Sequence, residues 1–152
     1  MSGKKISWLD VFELSVKMVD SWLAKLLFNL KSWFRDEYYE PIGVDELNAY
    51  LHVWRNNVLP ELAYTPEAFD CDDFGAYFKA WLTKVSGRNC VGEAIGELED
   101  KEGNRGGHEW NIVIVKLYDG SVTALFVEPQ IGEAFKKITS DGFIYHLKWV
   151  LW

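Results

Sequence analysis

The sequence predicts an α+β fold, with helices first and an antiparallel sheet after them. Over residues 6–34, apolar side chains recur at alternating steps of three and four, which is the period of an amphipathic helix. After Gly87 the apolar period changes to two, and residues 110–117 are followed by a turn and a second apolar run, as in a β-hairpin. The chain has 152 residues, 49% of them hydrophobic, so it is long enough to bury one core.

These patterns predict one domain over residues 1–152, with a helical N-terminal part (1–59) and a core (60–152). We find no internal repeat, no low-complexity segment and no composition typical of a linker between domains. The helices should therefore pack on the sheet of the same domain.

The first predicted helix covers residues 6–34 and should pack on its own domain, because its apolar stripe is wider than a coiled-coil seam. Two alternatives remain open. The stripe could pair with a second copy to give a homodimer, or it could lie on a membrane surface. The membrane alternative is disfavoured because the polar face mixes Asp and Glu with Lys.

Two further helices are predicted from capping signals. Asp45 is the expected N-cap of a helix that ends near Asn57 and Pro60. Asp70 is the expected N-cap of a third helix over residues 71–85, which should stop at Gly87. A cysteine, Cys71, would then lie in the first turn of this third helix.

The second half of the chain predicts strands at 89–98, 110–117, 122–128 and 143–152, with a short helix or excursion at 132–138. A three-residue loop at 118–120 would pair residues whose numbers sum to 238, which places Glu128 opposite Trp110 and diagonal to His108. In that register Gln130 faces His108. A two-residue loop would instead place Glu128 opposite Asn111.

Composition excludes some classes of function. A net charge of −7 argues against binding a nucleic-acid backbone. Two cysteines, Cys71 and Cys90, cannot form a disulfide framework, although a single bridge between them stays open, and a reducing compartment is the better prediction. Acidic residues interrupt the apolar N-terminal run, so neither a signal peptide nor a membrane span is recognised and a cytoplasmic location is expected.

The residues with the clearest chemistry are Cys71 and His108. A thiol at a helix N-terminus is placed where the unpaired N–H groups and the helix dipole favour the thiolate. An imidazole at the start of a strand could act as its base, and Glu128 could orient that imidazole. Trp110 could shield the imidazole from water.

Four segments carry a resemblance to a known family: residues 70–74 (DCDDF), 89–92 (NCVG), 107–111 (GHEWN) and 127–130 (VEPQ). Together they resemble the papain-like and transglutaminase-like cysteine peptidase superfamily, most of all the C-terminal cysteine-peptidase domain of fungal agglutinins and of related microbial and phage proteins. The resemblance implies a papain-like core, a catalytic triad of Cys71, His108 and Glu128, and supporting positions at Trp110, Asn111 and Gln130.

The same resemblance implies calcium dependence. Three aspartates surround the thiol and should raise its pKa, and a cation held by Asp72 and Asp73 would relieve that repulsion. The simpler interpretation is that these aspartates cap the helix, because no EF-hand spacing is present. The sequence requires no other cofactor.

The leading functional hypothesis is therefore a papain-like thiol hydrolase that cleaves a peptide or amide bond in a peptide or protein substrate. Acyl transfer of the transglutaminase type uses the same groups. The alternative from a different class is a non-catalytic interaction module that binds a partner through its aromatic N-terminal helices.

Overall fold

The first part of the chain forms two short helices where the 6–34 pattern predicts one long helix. The computed structural model describes residues 5–152, except for the side chains of residues 27, 29 and 30. A two-residue strand β1 (Ile6–Ser7) leads into α1 (Trp8–Val16), and α2 (Trp22–Lys31) follows after a break. The break arises because the Ser21 hydroxyl accepts a hydrogen bond from the Ala24 N–H at 3.1 Å, which starts a new helix.

Two short strands, β2 (Tyr38–Tyr39) and β3 (Ile42–Gly43), precede α3 (Val44–Val53). Gly43 occupies the N-cap position in place of the predicted Asp45, whose carboxylate instead accepts a hydrogen bond from the Tyr118 hydroxyl. The helical path continues beyond α3 as a π-helical turn (Trp54–Val58) and a 3₁₀ turn (Leu59–Glu61).

The helix α4 (Cys71–Ser86) confirms the third predicted helix. Asp70 is its N-cap, and Gly87 ends it in the left-handed conformation with φ of 67°. The Gly87 N–H donates to the Thr83 carbonyl at 3.0 Å, the closure that a glycine at this position permits.

Five further strands complete the main sheet: β4 (Val91–Glu99), β5 (Arg105–Lys116), β6 (Val122–Glu128), β7 (Glu133–Phe135) and β8 (Ile144–Leu151). Their order across the sheet is β7-β6-β5-β4-β8, and every neighbouring pair is antiparallel. Only β3 runs parallel to its neighbour, pairing with the end of β5. The segment predicted as a short helix or excursion therefore contains the edge strand β7.

The register of the β5–β6 hairpin is the one that a three-residue loop predicts. Asn111 pairs with Val127 and Lys116 with Val122, so paired numbers sum to 238. The Leu117 N–H donates to the Ser121 carbonyl at 2.8 Å across the loop.

The sheet separates two hydrophobic cores because successive strand residues point to opposite faces. On one face, Trp110, Ile112 and Ile114 of β5 pack with the side chains of α1 and α2. On the other face, Val113 and Val115 pack against α3 and α4.

These observations correct the expected fold class. The structure is a mostly antiparallel β-sheet fold with short helices, and it does not have the papain-like α+β core that the resemblance implies. The sequence overestimated the helical part because the 6–34 pattern continues through the break before α2. Among residues 5–152, no helix combines the length and apolar character needed to cross a bilayer.

Candidate functional site

His108 and Glu128 form the centre of a buried polar cluster. His108 Nε2 lies 2.6 Å from Glu128 Oε2, and the Tyr145 hydroxyl donates to the same carboxylate oxygen at 2.9 Å. The other oxygen, Oε1, accepts the Gln130 main-chain N–H at 3.1 Å. Three groups thus bind the Glu128 carboxylate, and this carboxylate fixes the orientation of the His108 imidazole.

The hairpin register and the packing around Trp110 produce this arrangement. The Trp110 ring stacks on the His108 ring with centroids 6.0 Å apart. Space for Trp110 comes from Gly96, where a Cβ would lie 2.7 Å from the indole and 2.1 Å from the His146 carbonyl oxygen. Glycine is therefore required on β4 for the imidazole to be packed in this way.

The cluster has a defined pattern of proton donors. Burial, followed by the charge of Glu128, raises the pKa of Tyr145, so this phenol stays protonated and donates. Since Nε2 of His108 is engaged by Glu128, Nδ1 is the ring nitrogen available to another partner. Among residues 5–152, no side chain or main-chain group bonds to His108 Nδ1.

A cleft of about 380 Å³ opens beside this imidazole. Its wall combines polar groups with one aromatic ring and is formed by Leu98, Asp100, Asn104, Arg105, Gly106, Gly107, His108 and Phe143. Such a mixture suits a polar ligand that also has a face to stack.

The loop between β4 and β5 is a rigid wall of this cleft. The Asp100 carboxylate accepts hydrogen bonds from the Asn104 main chain at 2.8 Å and from the Asn104 side-chain amide at 2.9 Å. These hydrogen bonds lower the pKa of Asp100, and the bond from the Asn104 side-chain amide has the largest effect. Arg105 is anchored next to the loop by Glu99, with Nη2 to Oε2 at 2.6 Å.

Cys71 begins α4, and its thiol is hydrogen-bonded to the main chain of Glu109, the residue next to His108 on β5. The neighbouring strand residue, Glu109, directs its side chain to α4, where a Cβ on Gly75 would be 3.0 Å from the carboxylate. Because consecutive strand residues alternate, His108 points away from α4. Within the described part of the chain, Cys71 makes no hydrogen bond to His108.

The environment of Cys71 also disfavours its thiolate. Burial raises the pKa of the thiol, and the charges of Asp70, Asp72 and Glu109 raise it further. One hydrogen bond from the Glu109 main chain acts in the other direction. The thiol is therefore expected to be protonated at neutral pH, contrary to what its position at a helix start predicts.

Possible calcium ligands lie close together at the N-terminal end of α4. Potential ligand atoms of Asp70, Cys71 and Asp72 lie within 4.8 Å of one another. A hydrogen bond between the two aspartates raises the pKa of Asp72 and lowers that of Asp70. Carboxylate oxygens are suitable calcium ligands once the proton between them is lost, whereas the cysteine sulfur is not. Asp73 instead accepts the Asp70 main-chain N–H at 3.4 Å, in the capping role.

Two residues gain importance that sequence reasoning did not give them. Burial, followed by the charges of Glu93 and Asp72, raises the pKa of Glu109 to about 8. Asn111, expected only as a supporting position, is fully buried and ties β5 to its neighbours by donating to the carbonyls of Gly75 at 3.0 Å and Gly92 at 3.2 Å. The alternation of β5 places both side chains on the α4 face, but the sequence gives no sign of which face α4 covers.

The second cysteine is shielded from solvent. Cys90 is fully buried, and burial raises its pKa to about 12. Both cysteines are free thiols, so the bridge between them that the sequence left open is not formed.

Comparison with known proteins gives structural neighbours only. No family model matches the chain, and no curated protein matches it. One similar solved structure is described as a PSL1a–E64 complex, with 21% identity and a TM-score of 0.66 over 97% of this chain and 51% of that one. Another is Polyporus squamosus lectin bound to the human-type influenza-binding epitope Neu5Acα2-6Galβ1-4GlcNAc, with 21% identity and a TM-score of 0.64 over 97% of this chain and 49% of that one. At this identity the likeness establishes the fold alone, and the chain spans about half the length of these neighbours.

These neighbours correct the assignment to the papain-like and transglutaminase-like superfamily. The neighbouring structures are of a lectin, and no family model supports a cysteine peptidase. The hypotheses of a thiol hydrolase, of acyl transfer, of a peptide or protein substrate and of a non-catalytic interaction module are wrong on the same finding. A homodimer through the N-terminal helix stays a prediction. The physical reason is visible at Cys71, whose thiol is neither paired with His108 nor poised as a thiolate.

Proposed function

We propose that the chain is a carbohydrate-binding domain and that the cleft beside His108 is its glycan site. The observation that carries the proposal is the cleft itself, in which a rigid imidazole, an aromatic ring and fixed polar groups line about 380 Å³. The lectin in the second neighbour, with the same fold, binds the glycan Neu5Acα2-6Galβ1-4GlcNAc.

The chemistry of the wall fits a sugar. Pyranose rings have apolar C–H faces that stack on aromatic rings, and Phe143 offers such a ring at the cleft. Sugar hydroxyls both donate and accept, so His108 Nδ1 can accept one hydroxyl while the loop between β4 and β5 offers further partners. Because Glu128 and Tyr145 fix the imidazole, little ordering is needed when a ligand binds.

The electrostatics favour a neutral glycan over a sialylated one. The chain carries a net charge of −7, and Arg105, the cation at the cleft, is already paired with Glu99. A sialic acid carboxylate would have to compete with Glu99 for this guanidinium. We therefore infer that Galβ1-4GlcNAc binds at least as tightly as its sialylated form.

Isothermal titration with these two glycans tests the proposal. The Phe143→Ala and His108→Ala variants should each weaken binding at least about tenfold, the equivalent of about 1.4 kcal/mol. His52→Ala is the matched control, because His52 is exposed on α3, outside the residues that line the cleft. No binding of either glycan at millimolar concentration, or equal binding by all variants, would end the proposal.

A further inference from the structure

The helix α2 exposes an apolar face that no other element within residues 5–152 covers. Trp22 is 77% exposed, Leu23 52% and Leu26 49%. At about 100° per residue these three side chains span an arc of roughly 100°. The opposite side carries Phe28, which is fully buried in the core. The helix is thus anchored on one side and apolar on its solvent side.

The charges next to this apolar face are positive, although the whole chain is acidic. Lys25 and Lys31 are the only charged residues in the α2 sequence, and the helical spacing places one on each side of the apolar arc. The acidic residue just before the helix, Asp20, forms an ion pair with Lys137 at 2.5 Å and a hydrogen bond with His146 Nδ1 at 2.7 Å. The net charge of −7 is therefore carried elsewhere on the molecule.

A groove of about 240 Å³ runs between α2 and β8 beside the same face. Leu23, Ala24 and Trp149 give it apolar walls, and Lys31 lies at it as a cation. Lys148 also lies at it, with its ammonium paired to Glu97. An apolar channel with lysine ammonium groups matches a ligand with a hydrocarbon part and an anionic head.

We propose that this face, defined by Trp22, Leu23, Leu26, Lys25 and Lys31, docks on the surface of an anionic lipid bilayer. The apolar side chains would enter the region between head groups and acyl chains, where tryptophan is favoured, and the lysines would contact anionic head groups. A second copy of the chain is a poorer occupant, because it would bring the same lysines against each other.

The acidic residues that disfavoured a membrane-surface helix in the sequence do not lie on α2. Over residues 6–34 the acidic side chains appeared to share the polar face with lysines. The break at residues 17–21 assigns Asp10 and Glu13 to α1 and leaves Asp20 outside both helices. The docking helix α2 therefore has no acidic residue of its own.

Flotation with phosphatidylcholine vesicles, with and without phosphatidylserine, tests the inference on the full chain. The protein should float with the phosphatidylserine vesicles at low salt and be released by high salt, because screening weakens the lysine contacts. Leu26→Glu should lower the bound fraction about tenfold or more. Val53→Glu is the matched control, since Val53 is a similarly exposed aliphatic residue on α3 and the substitution adds the same charge.

Three results would overturn the inference. The first is no flotation with phosphatidylserine vesicles at low salt, and the second is equal loss in Leu26→Glu and Val53→Glu. The third is sedimentation showing a dimer that Leu26→Glu converts to a monomer, because the face would then belong to a second copy. Circular dichroism and thermal unfolding of both variants establish that each is folded, as expected for substitutions at exposed positions.

Discussion

His108 Nε2 and Glu128 Oε2 lie 2.6 Å apart, although 20 residues separate them in the chain. The pair exists because the hairpin loop at 118–120 determines the register of β5 with β6. Glu128 ends β6 one residue beyond the last pair of these two strands. Tyr145 of β8 reaches the same carboxylate, so three strands meet at one buried charge. Four groups, from three strands and from the segment after β6, are thus tied to one another.

Glu128→Gln should destabilise the protein. The side chain is 4% exposed, and the change weakens charge-assisted bonds to His108 and Tyr145, so a loss of about 1–3 kcal/mol in the free energy of unfolding is expected. Urea unfolding measures it. Glu97→Gln, at a surface carboxylate paired with Lys148, is the control and should change stability by less than about 1 kcal/mol. Equal losses in the two variants would contradict the role of the cluster.

Glu109 should make the protein less stable as the pH rises. Its folded-state pKa of about 8 lies above the ordinary value of 4.5, so the folded state binds more protons between these values. The contribution is fully present below about pH 4.5 and is lost as the pH rises through about 8. Glu109→Gln should flatten this part of the stability profile, by about 2 kcal/mol once solvent screening of a partly exposed group is considered. Thermal unfolding from pH 4 to 9 measures the profile, and an unchanged slope in the variant would refute the assignment.

Cys71 should react slowly with iodoacetamide at neutral pH. The neighbouring carboxylates and burial raise the pKa of its thiol, so its rate should stay below that of a free thiol and increase toward alkaline pH. Asp72→Asn removes one of the charges and should accelerate the reaction several-fold. Cys90, fully buried, provides an internal control that should remain unlabelled in the folded protein. A rate at pH 7 above that of a free thiol would contradict the electrostatic interpretation.

Calcium binding remains a prediction, and substitutions of Asp72 and Asp73 should affect it differently. If a calcium ion binds the Asp70 and Asp72 carboxylates, it will raise the melting temperature, and Asp72→Asn will abolish that shift. Asp73→Asn should keep the shift but weaken the helix cap, at a cost of about 1 kcal/mol. Differential scanning calorimetry with calcium and with magnesium distinguishes these outcomes. No shift in the wild-type protein would remove calcium from consideration.

Features encoded locally were predictable from the sequence. Asp70 and Gly87 bound α4 because capping depends on neighbouring residues, and the loop at 118–120 sets the hairpin register because loop length determines pairing. The proximity of His108 and Glu128 follows from that register.

Features that depend on distant parts of the chain were not predictable. The apolar period at residues 6–34 continues through residues 17–21, so nothing in the pattern marks the break that Ser21 caps. His108 and Glu109 must point to opposite faces of β5, but which face receives α4 depends on the packing of the whole sheet. The side chain that β5 directs at α4 next to Gly75 is that of Glu109, which the sequence did not single out.

The main-chain bonds between Trp33 and the end of β8 also bear on how the chain folds. The Trp33 N–H donates to the Val150 carbonyl at 3.0 Å, and the Trp152 N–H donates to the Trp33 carbonyl at 2.8 Å. The Ser32 hydroxyl accepts the Val150 N–H across a separation of 118 residues. During synthesis the first two helices can form early, but the strand on which they finally pack consists of residues translated more than a hundred positions later. Until then their apolar side chains remain exposed, which makes the newly made chain, more than the finished protein, the species at risk of aggregation.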